Sequence, residues 1–388
     1  MNEQLNLFNT EEEFNFEEMK QKLIDNLDML KEMTVQEQTL YKKWQEMNKG
    51  GKMSKIKKKL LSYQKNLWKP TDIYNIEQTI QEIENLEPYV EIATQGKGVT
   101  EWVNYRKLIH TMEWVANPGR NMKFWVRDRK TQKVLGLICL GSDVTSIKVR
   151  DAYIGWDKTN KFDQHKLNNT AIATTICSTQ PGGYNMLMGK LVAALTTCKT
   201  IRDAWEEKYG DKLIAVGTTS LYGINSMYNG MPHFKTMGET TGQVRLKPDD
   251  KVYLPWNTWL KNNHPEEHHK AINATGPKQN ILNKVFKHCG IKASTYDHGF
   301  KRGVYLAMMY ENGNEFLRGE VEESNLKMKQ KFIDDVEYTC RWWKPKAIRR
   351  YKNLTTQQRI KKEQLFYWDV IDMSWQSTKE NYIGEVGR

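Results

Sequence analysis

Residues 177–191 read CSTQPGGYNMLMGKL, a Pro-Gly-Gly turn set between a β-branched run and a helix-forming one. The run before it, AIATTICS (171–178), has the composition of a central strand. The run after it, NMLMGKLVAALTTCKTIRDAWEEKYG (185–210), places Leu187, Leu191, Leu195, Cys198, Ile201 and Trp205 on one stripe. It ends on a glycine suited to a C-cap, and this predicts one long helix. A strand that runs through Gly-Gly into a helix leaves backbone N–H groups unpaired where the helix dipole favours negative charge, so a pyrophosphate can sit there. The turn has neither the Lys-Ser/Thr pair of a Walker A loop nor GxGxxG spacing. Pro and Gly also punctuate ordinary loops, so from the turn alone both readings stand.

Working outward, KFWVRDRKTQKVLGLICLGS (123–142) breaks at Lys130–Gln132 and reads as a β-hairpin. RDAYIGW (150–156) reads as a short strand or strand end, KLIAVGTTS (212–220) as a buried strand, and NSMYNGMPHFKTMGETTG (225–242) as a short helix running into a turn and a strand. Before this core, Glu11 to about Lys69 is helical in period, with Phe16, Met19, Leu23, Leu27 and Leu30 on one face, a break at Gly50-Gly51 and a lysine-dense second half. From about Lys251 the helical period returns, interrupted by NATGPKQ and ENGNEF. The expected class is α+β: a helical region over 1–90, a mixed-sheet α/β core over 91–250 and a mainly helical, basic region over 251–388.

A chain of 388 residues with 39% hydrophobic content can bury a sizeable core. Its formal charge of +12 points to an acidic partner, DNA above all. No run of about 18 apolar residues exists to span a membrane. The acidic start MNEQLNLFNTEEEFNF is unlike a signal or transit peptide. Five cysteines, widely spaced and without a CxxC pair, suggest neither a disulfide framework nor a zinc ribbon and suit a reducing cytoplasm.

The order hairpin, strand, Gly turn, long helix, strand, short helix resembles that of the GNAT (N-acetyltransferase) superfamily, in which the turn binds the pyrophosphate of coenzyme A. A closer resemblance runs from about Tyr153 to Gln243. Here the phrases YIGW, LNNTAIATTICS, IRDAWEEKYGDKL and TTSLYGINSMYNGMPHFKTMGETTG are similar in order and spacing to the Druantia DruA family and to the phage Mom-type DNA-modifying proteins. Residue by residue, Ile154-Gly155-Trp156, the Asn168-Asn169 pair, Asp203 with Trp205, Tyr228, and the closing Gly238, Thr240 and Gly242 match those families' phrases. Both families usually carry an Asp after the next strand. This chain reads GTTSLYG there, with Thr219 or Ser220 in the place.

The resemblance implies a GNAT-like core and, on the Mom-type side, transfer of a small acyl-derived group to adenine N6 in phage DNA as protection from restriction. Acyl-coenzyme A or a related donor would be the cofactor, with iron possible by the same analogy, in the cytoplasm of the bacterial host. Tyr228, Tyr222, Cys177 and Ser220 are the implied catalytic candidates, Tyr228 as general acid or stacking platform and Cys177 as thiol or metal ligand. Ser178, Gly182, Gly183, Tyr184 and Asn185 would hold the donor. On the DruA side the same fold would bind nucleic acid without chemistry, as part of a defence or counter-defence system; the missing Asp favours that side, and the retained tyrosines and Gly turn favour the enzyme. An ordinary acyl transferase with a protein or small-molecule substrate fits the basic charge less well.

For DNA contact the candidates are Trp156 and the tail RWWKPKAIRRY (341–351), where Lys344, Lys346, Arg349 and Arg350 would meet phosphate and Trp342 or Trp343 would stack. The plainer alternative is a Trp pair docking a helix while its cations stay solvated. His233 reads as a surface loop residue. His264 and His268 of HPEEHH lack HExxH order and read as a solvated helix start.

Overall fold

The computed structural model describes residues 14–48, 62–115, 119–224, 227–241, 246–274, 276–297, 300–333, 335–361, 370 and 372–385. Most of the lysine-dense run, 49–61, and Gly242 lie outside them. In chain order the elements used below are α1 (Phe16–Glu32), α2 (Val35–Asn48), α3 (Ile76–Glu84), β1 (Pro88–Ile92), α4 (Lys97–Ile109), β2 (Asn121–Asp128), β3 (Val134–Ser142), α5 (Lys148–Ile154) and β4 (Thr170–Ser178). They continue with α6 (Gly182–Met186), α7 (Met188–Ala194), α8 (Lys199–Tyr209), β5 (Ala215–Ser220) and β6 (Lys235–Glu239). After these come α9 (Asp250–Asn263), α10 (Pro265–Ile272), α11 (Pro277–His288), β7 (Gly303–Met308), α12 (Gly313–Leu317), α13 (Gln330–Ile333), α14 (Asp335–Thr356) and α15 (Trp375–Tyr382).

The architecture is α+β, organised by one seven-stranded mixed sheet of order β1-β2-β3-β4-β5-β7-β6. The expected hairpin is β2–β3. Its turn is fixed by the buried Asp128, whose carboxylate accepts the Thr131 N–H (2.9 Å) and hydroxyl (2.7 Å) and the Glu87 N–H (2.9 Å). β3 is buried along nearly its whole length because both faces are covered. Leu135, Ile138 and Leu140 enter one core cluster, while Val134, Leu137 and Cys139 enter the other. The first cluster takes in Met188 and Leu191 of α7, Ile201 and Trp205 of α8, and Trp343, Ala347 and Tyr351 of α14; the second takes in Leu40 and Met47 of α2 and Trp102 and Tyr105 of α4.

β4 and β5 pair in parallel, over Thr170–Ile172 and Ala215–Gly217 alone. Beyond those residues the two strands follow different neighbours, β3 and β7.

The chain divides into two units, each considered by itself: one drawn from Met1–Gln38 and Thr241–Phe300, the other from Thr39–Thr240 and Lys301–Arg388. The sheet belongs entirely to the second. In the first, Leu23, Leu27 and Leu30 of α1 are buried, as their spacing predicts, together with Trp256, Leu260, Leu282 and Phe286. HPEEHH does start a helix, with Pro265 in its first turn. Among the described residues no helix is long and apolar enough to cross a membrane.

Four expectations need correction. The long helix is three pieces: α6, α7 and α8, broken at Leu187 (φ 52°) and again through Leu195–Cys198. The Thr196 and Thr197 hydroxyls donate to the Ala193 and Ala194 carbonyls (2.7 and 3.0 Å), a local bond that competes with the helix ladder. Gly210 still closes α8 in the left-handed conformation, its N–H on Glu206 O. Second, the GVYLAM segment, inside a region read as helical, is the buried strand β7 between β5 and β6. Third, the short helix before β6 is absent among the described residues, which are turns punctuated by Gly223 and Gly230 at positive φ.

Fourth, RDAYIGW is not a strand. Its first half is α5, closed by Gly155 at φ 80°. Arg150, 1% exposed, is held there by Asp143 (2.6 Å) and Asp151 (2.6 Å) and by the Val144 carbonyl (2.8 Å). Lys161 joins Asp151, and Thr170 of β4 donates to Asp143 (2.7 Å). The network ties α5 to the head of β4. Removing one carboxylate leaves a buried guanidinium short of a partner, which is costly even where the intact pair contributes little. Asp143→Ala is therefore expected to lower unfolding stability by about 3 kcal/mol, seen as a lower urea midpoint; an unchanged midpoint would show that Asp151 alone suffices.

Candidate nucleic-acid interface

Where β4 and β5 part, the structure leaves a closed seam. Thr218 donates to the Ala173 carbonyl (3.2 Å), and the Tyr228 hydroxyl is bonded to the Thr218 side chain. The Tyr228 ring packs on Tyr305 and Phe234, with centroids 5.0 and 5.7 Å away, and the residue is 8% exposed. Burial pushes its phenol up to about 12. A phenol so held stays neutral at ordinary pH, and its ring is packed against Tyr305 and Phe234 rather than open to a base.

Of the other catalytic candidates, Cys177 packs in the second core cluster and Tyr228 in the first, yet Cys177 is near enough to add to the upward shift of the Tyr228 phenol. Burial raises the Cys177 thiol to about 12 against the opposing pull of Arg106, and its Sγ rests near the Ile109 and Ser178 carbonyls. This is a neutral packing thiol, not a nucleophile. Ser220 is buried and accepts the Tyr222 N–H (3.2 Å), while Tyr222 itself is exposed at the end of β5.

The Pro-Gly-Gly turn is satisfied internally. The Gly183 N–H goes to Thr179 O (2.8 Å), the Tyr184 N–H to Gln180 Oε1 (3.0 Å) and the Asn185 N–H to Pro181 O (3.1 Å). Gly182 lies buried against Met188, and Gly183 lies close to Ser178 Oγ. Asn185, fully buried, donates to Pro181 O (3.0 Å) and Lys361 O (2.6 Å) and accepts the Lys361 N–H (3.1 Å). The turn's amides and its Asn thus hold protein, and α6 is a five-residue helix with little dipole to offer. The donor set expected for a coenzyme A pyrophosphate does not fit here. Nor do the residues fit iron: among those described, no group of three or more His, Cys, Asp or Glu side chains is placed to hold a metal.

Residues 338–362 contain nine Lys or Arg and no Asp or Glu, and α14 carries most of them. Its buried face is Thr339, Trp343, Ala347, Tyr351 and Leu354. Trp343 is fully buried, and its indole N–H is shared between the Met186 and Leu187 carbonyls (3.1 and 3.0 Å), the groups released where α6 breaks from α7. Next to that face, Trp342, Lys346 and Arg350 follow one another at four-residue spacing and so form a stripe about 12 Å long.

Neighbouring segments add to it. Lys346 lies over the Trp342 ring (5.7 Å), Arg350 and Lys361 over Tyr184 (5.3 and 4.9 Å), and Arg359 reaches the Tyr184 hydroxyl (3.4 Å). Lys190 of α7 donates to Asn229 O (2.6 Å) and Lys331 to Pro232 O. Burial and nearby Lys346 lower the pKa of Lys190; burial and nearby Lys329 do the same to Lys331. Among the described residues none of Lys190, Lys329, Lys331, Lys346, Arg350 or Arg359 has a carboxylate within ion-pair distance, whereas Arg120, Arg127, Arg150, Lys212 and Arg318 all do. An uncompensated row of this kind is what a polyanion neutralises.

Of the cations expected from the sequence to meet phosphate, Lys346 and Arg350 lie together in the row; Lys190, Lys331, Arg359 and Lys361 are brought to them only by the tertiary fold. Arg349 is exposed on α14. Lys344 turns to the other flank and donates to Glu84 O (2.6 Å). Trp156 is not in the row: its N–H goes to Leu317 O (2.8 Å), and its ring lies against Arg150 and Lys161 of the buried network. His233, read as a surface residue, is 4% exposed. It sits among Phe332, Tyr338 and Trp342 with Nε2 on Thr339 Oγ1 (3.1 Å), and its Nδ1 has no partner among the described residues.

A family model described as Druantia protein DruA matches residues 36–319. A curated Druantia protein DruA from Escherichia coli (strain UMEA 4076-1) is 25% identical over 289 residues, covering 69% of this chain and 70% of that protein. No solved structure matches. The model's span holds the sheet, the turn, Lys190 and His233 and ends before α14.

Burial, with Lys331 adding to it, lowers His233 to about 4. The unfolded chain takes up this proton near pH 6.5 while the folded chain resists it. Stability contributed here is therefore complete above about 6.5 and falls as the pH drops toward 4, by on the order of 3 kcal/mol. His110, also lowered by burial, adds to the same acid limb. His233→Gln should flatten the loss of stability between about pH 7 and 4.5 in urea titrations without abolishing it; an unaltered slope would show that His233 titrates normally in the folded protein.

Proposed function

The chain belongs to the Druantia DruA family, and from that premise we propose that it serves a defence system by binding DNA through Lys346 and Arg350 of α14 and the cations beside them. One observation carries this reading: Lys190, Lys346, Arg350 and Arg359, from α7, α14 and the segment after it, converge with a carbonyl and aromatic rings as partners and, among the described residues, no carboxylate within ion-pair distance. Paired surface cations contribute little and attract little, while unpaired ones held close together raise the local potential and gain most from an anionic ligand.

The core is read as GNAT-like on the strength of its single parallel strand pair, which opens after three residue pairs and leads from β4 into the Gly turn. Base modification of the Mom type would require Tyr228 to leave Thr218 and a donor site other than the turn. The arrangement of both favours binding without chemistry.

Lys346→Glu with Arg350→Glu is expected to weaken DNA binding by at least roughly tenfold and to reduce the slope of log K against log salt by about 1.4–1.8, as loss of two phosphate contacts requires. Fluorescence anisotropy across a salt series reads both. Unchanged affinity together with an unchanged slope would overturn the assignment.

A further inference from the structure

The row on α14 is not purely cationic. Trp342 and Tyr184 are both partly exposed, and each has cations over its ring: Lys346 on Trp342, Arg350 and Lys361 on Tyr184. Two aromatic groups therefore bracket two cations, in the order Trp342, Lys346, Arg350, Tyr184. Lys190 reinforces this row beside Lys346, and Lys331 reinforces it where the His233 cluster supports Trp342.

The setting of α14 matters as much. A helix that reads duplex DNA projects into the major groove with free space on either side. α14 instead lies in the core along Thr339, Trp343, Ala347 and Tyr351, and α6 and α7 flank its cationic stripe. The stripe thus runs along a helix docked on the core, with Tyr184 of α6 and Lys190 of α7 beside it. Cations set next to partly exposed rings suit a backbone whose bases are free to turn and stack, and a duplex presents no free base face.

We propose that this surface takes single-stranded DNA, with Trp342 and Tyr184 as base-stacking platforms and Lys190, Lys346, Arg350 and Arg359 as phosphate contacts. The inference rests on the DNA-binding reading above and specifies the form of DNA.

The test uses the full chain with three labelled probes: an oligothymidylate of about 16 nucleotides, a duplex of the same length and a uridylate of the same length. The oligothymidylate should bind at least roughly tenfold tighter than the duplex and quench tryptophan fluorescence. Trp342→Ala and Tyr184→Leu should each weaken it by about 5- to 100-fold with little effect on duplex binding, and Trp342→Phe should restore most of the loss. If Trp342→Ala fails to fold, the Tyr184→Leu result decides.

Duplex binding as tight as or tighter than the oligothymidylate, aromatic variants that bind it like the parent, or a preference for the uridylate would each overturn the single-strand assignment while leaving nucleic-acid binding intact. Binding to none of the three probes would overturn the underlying DNA reading instead.

Discussion

The indole N–H of Trp343, shared between the carbonyls of Met186 and Leu187, is the contact on which the basic surface depends. A helix that breaks releases carbonyls, and buried carbonyls need donors. Trp343 supplies one and in doing so fixes α14 against α6 and α7. Tyr351, two turns on, donates to Ile73 O (2.6 Å), and Asn185 clamps the Lys361 backbone. With the helix pinned at these points, Lys346 and Arg350 have no choice but to face Lys190 and Tyr184. The break in the helix after the Gly turn and the assembly of the cations are one event.

Charge is treated in two ways in this unit. Arg150, Asp143, Asp151 and Lys161 are largely withdrawn from water and ion-paired with one another. Lys43 is likewise buried, bonded to Glu46 and the Lys107 carbonyl, and burial lowers its ammonium to about 8; Arg106, beside it, donates to the carbonyls of Met112 and Glu113 and falls to about 10. These closed networks hold segments in place. Among the described residues Lys190, Lys346, Arg350 and Arg359 have no carboxylate within ion-pair distance, so a phosphate meets carbonyl, ring and water partners there and no competing acid.

Much of the sheet was legible. VLGLICLGS is continuous because it is covered on both faces, and the Leu23, Leu27, Leu30 stripe is regular because one face of α1 is buried. What was hidden follows from tertiary bonds. Local periodicity runs unbroken through Leu187, and only the distant Trp343 makes the break affordable there. GVYLAM is too short for its period to separate a strand from a buried helix turn. In the candidate site, Lys346 and Arg350 were visible as a basic run with tryptophans, while Lys190, Lys331 and His233 are scattered through other segments. The burial of Tyr228 and Cys177 was hidden for a related reason: sequence gives the identity of a side chain and not its surroundings.

The position of β7 has a consequence for biosynthesis. Among the described residues β6 pairs with β7 alone, and β7 also covers the outer side of β5. Residues 240–302 stand between the two in the chain, so at ordinary rates of translation roughly 3–13 s separate the emergence of β6 from that of its partner. During that interval the nascent chain carries an unpaired β5 edge of the sequence AVGTTS and a strand with nothing to join. The sheet is therefore completed late and from its C-terminal side, and its open edge is the point at which a ribosome-bound chain of this fold is most exposed to pairing with the wrong strand.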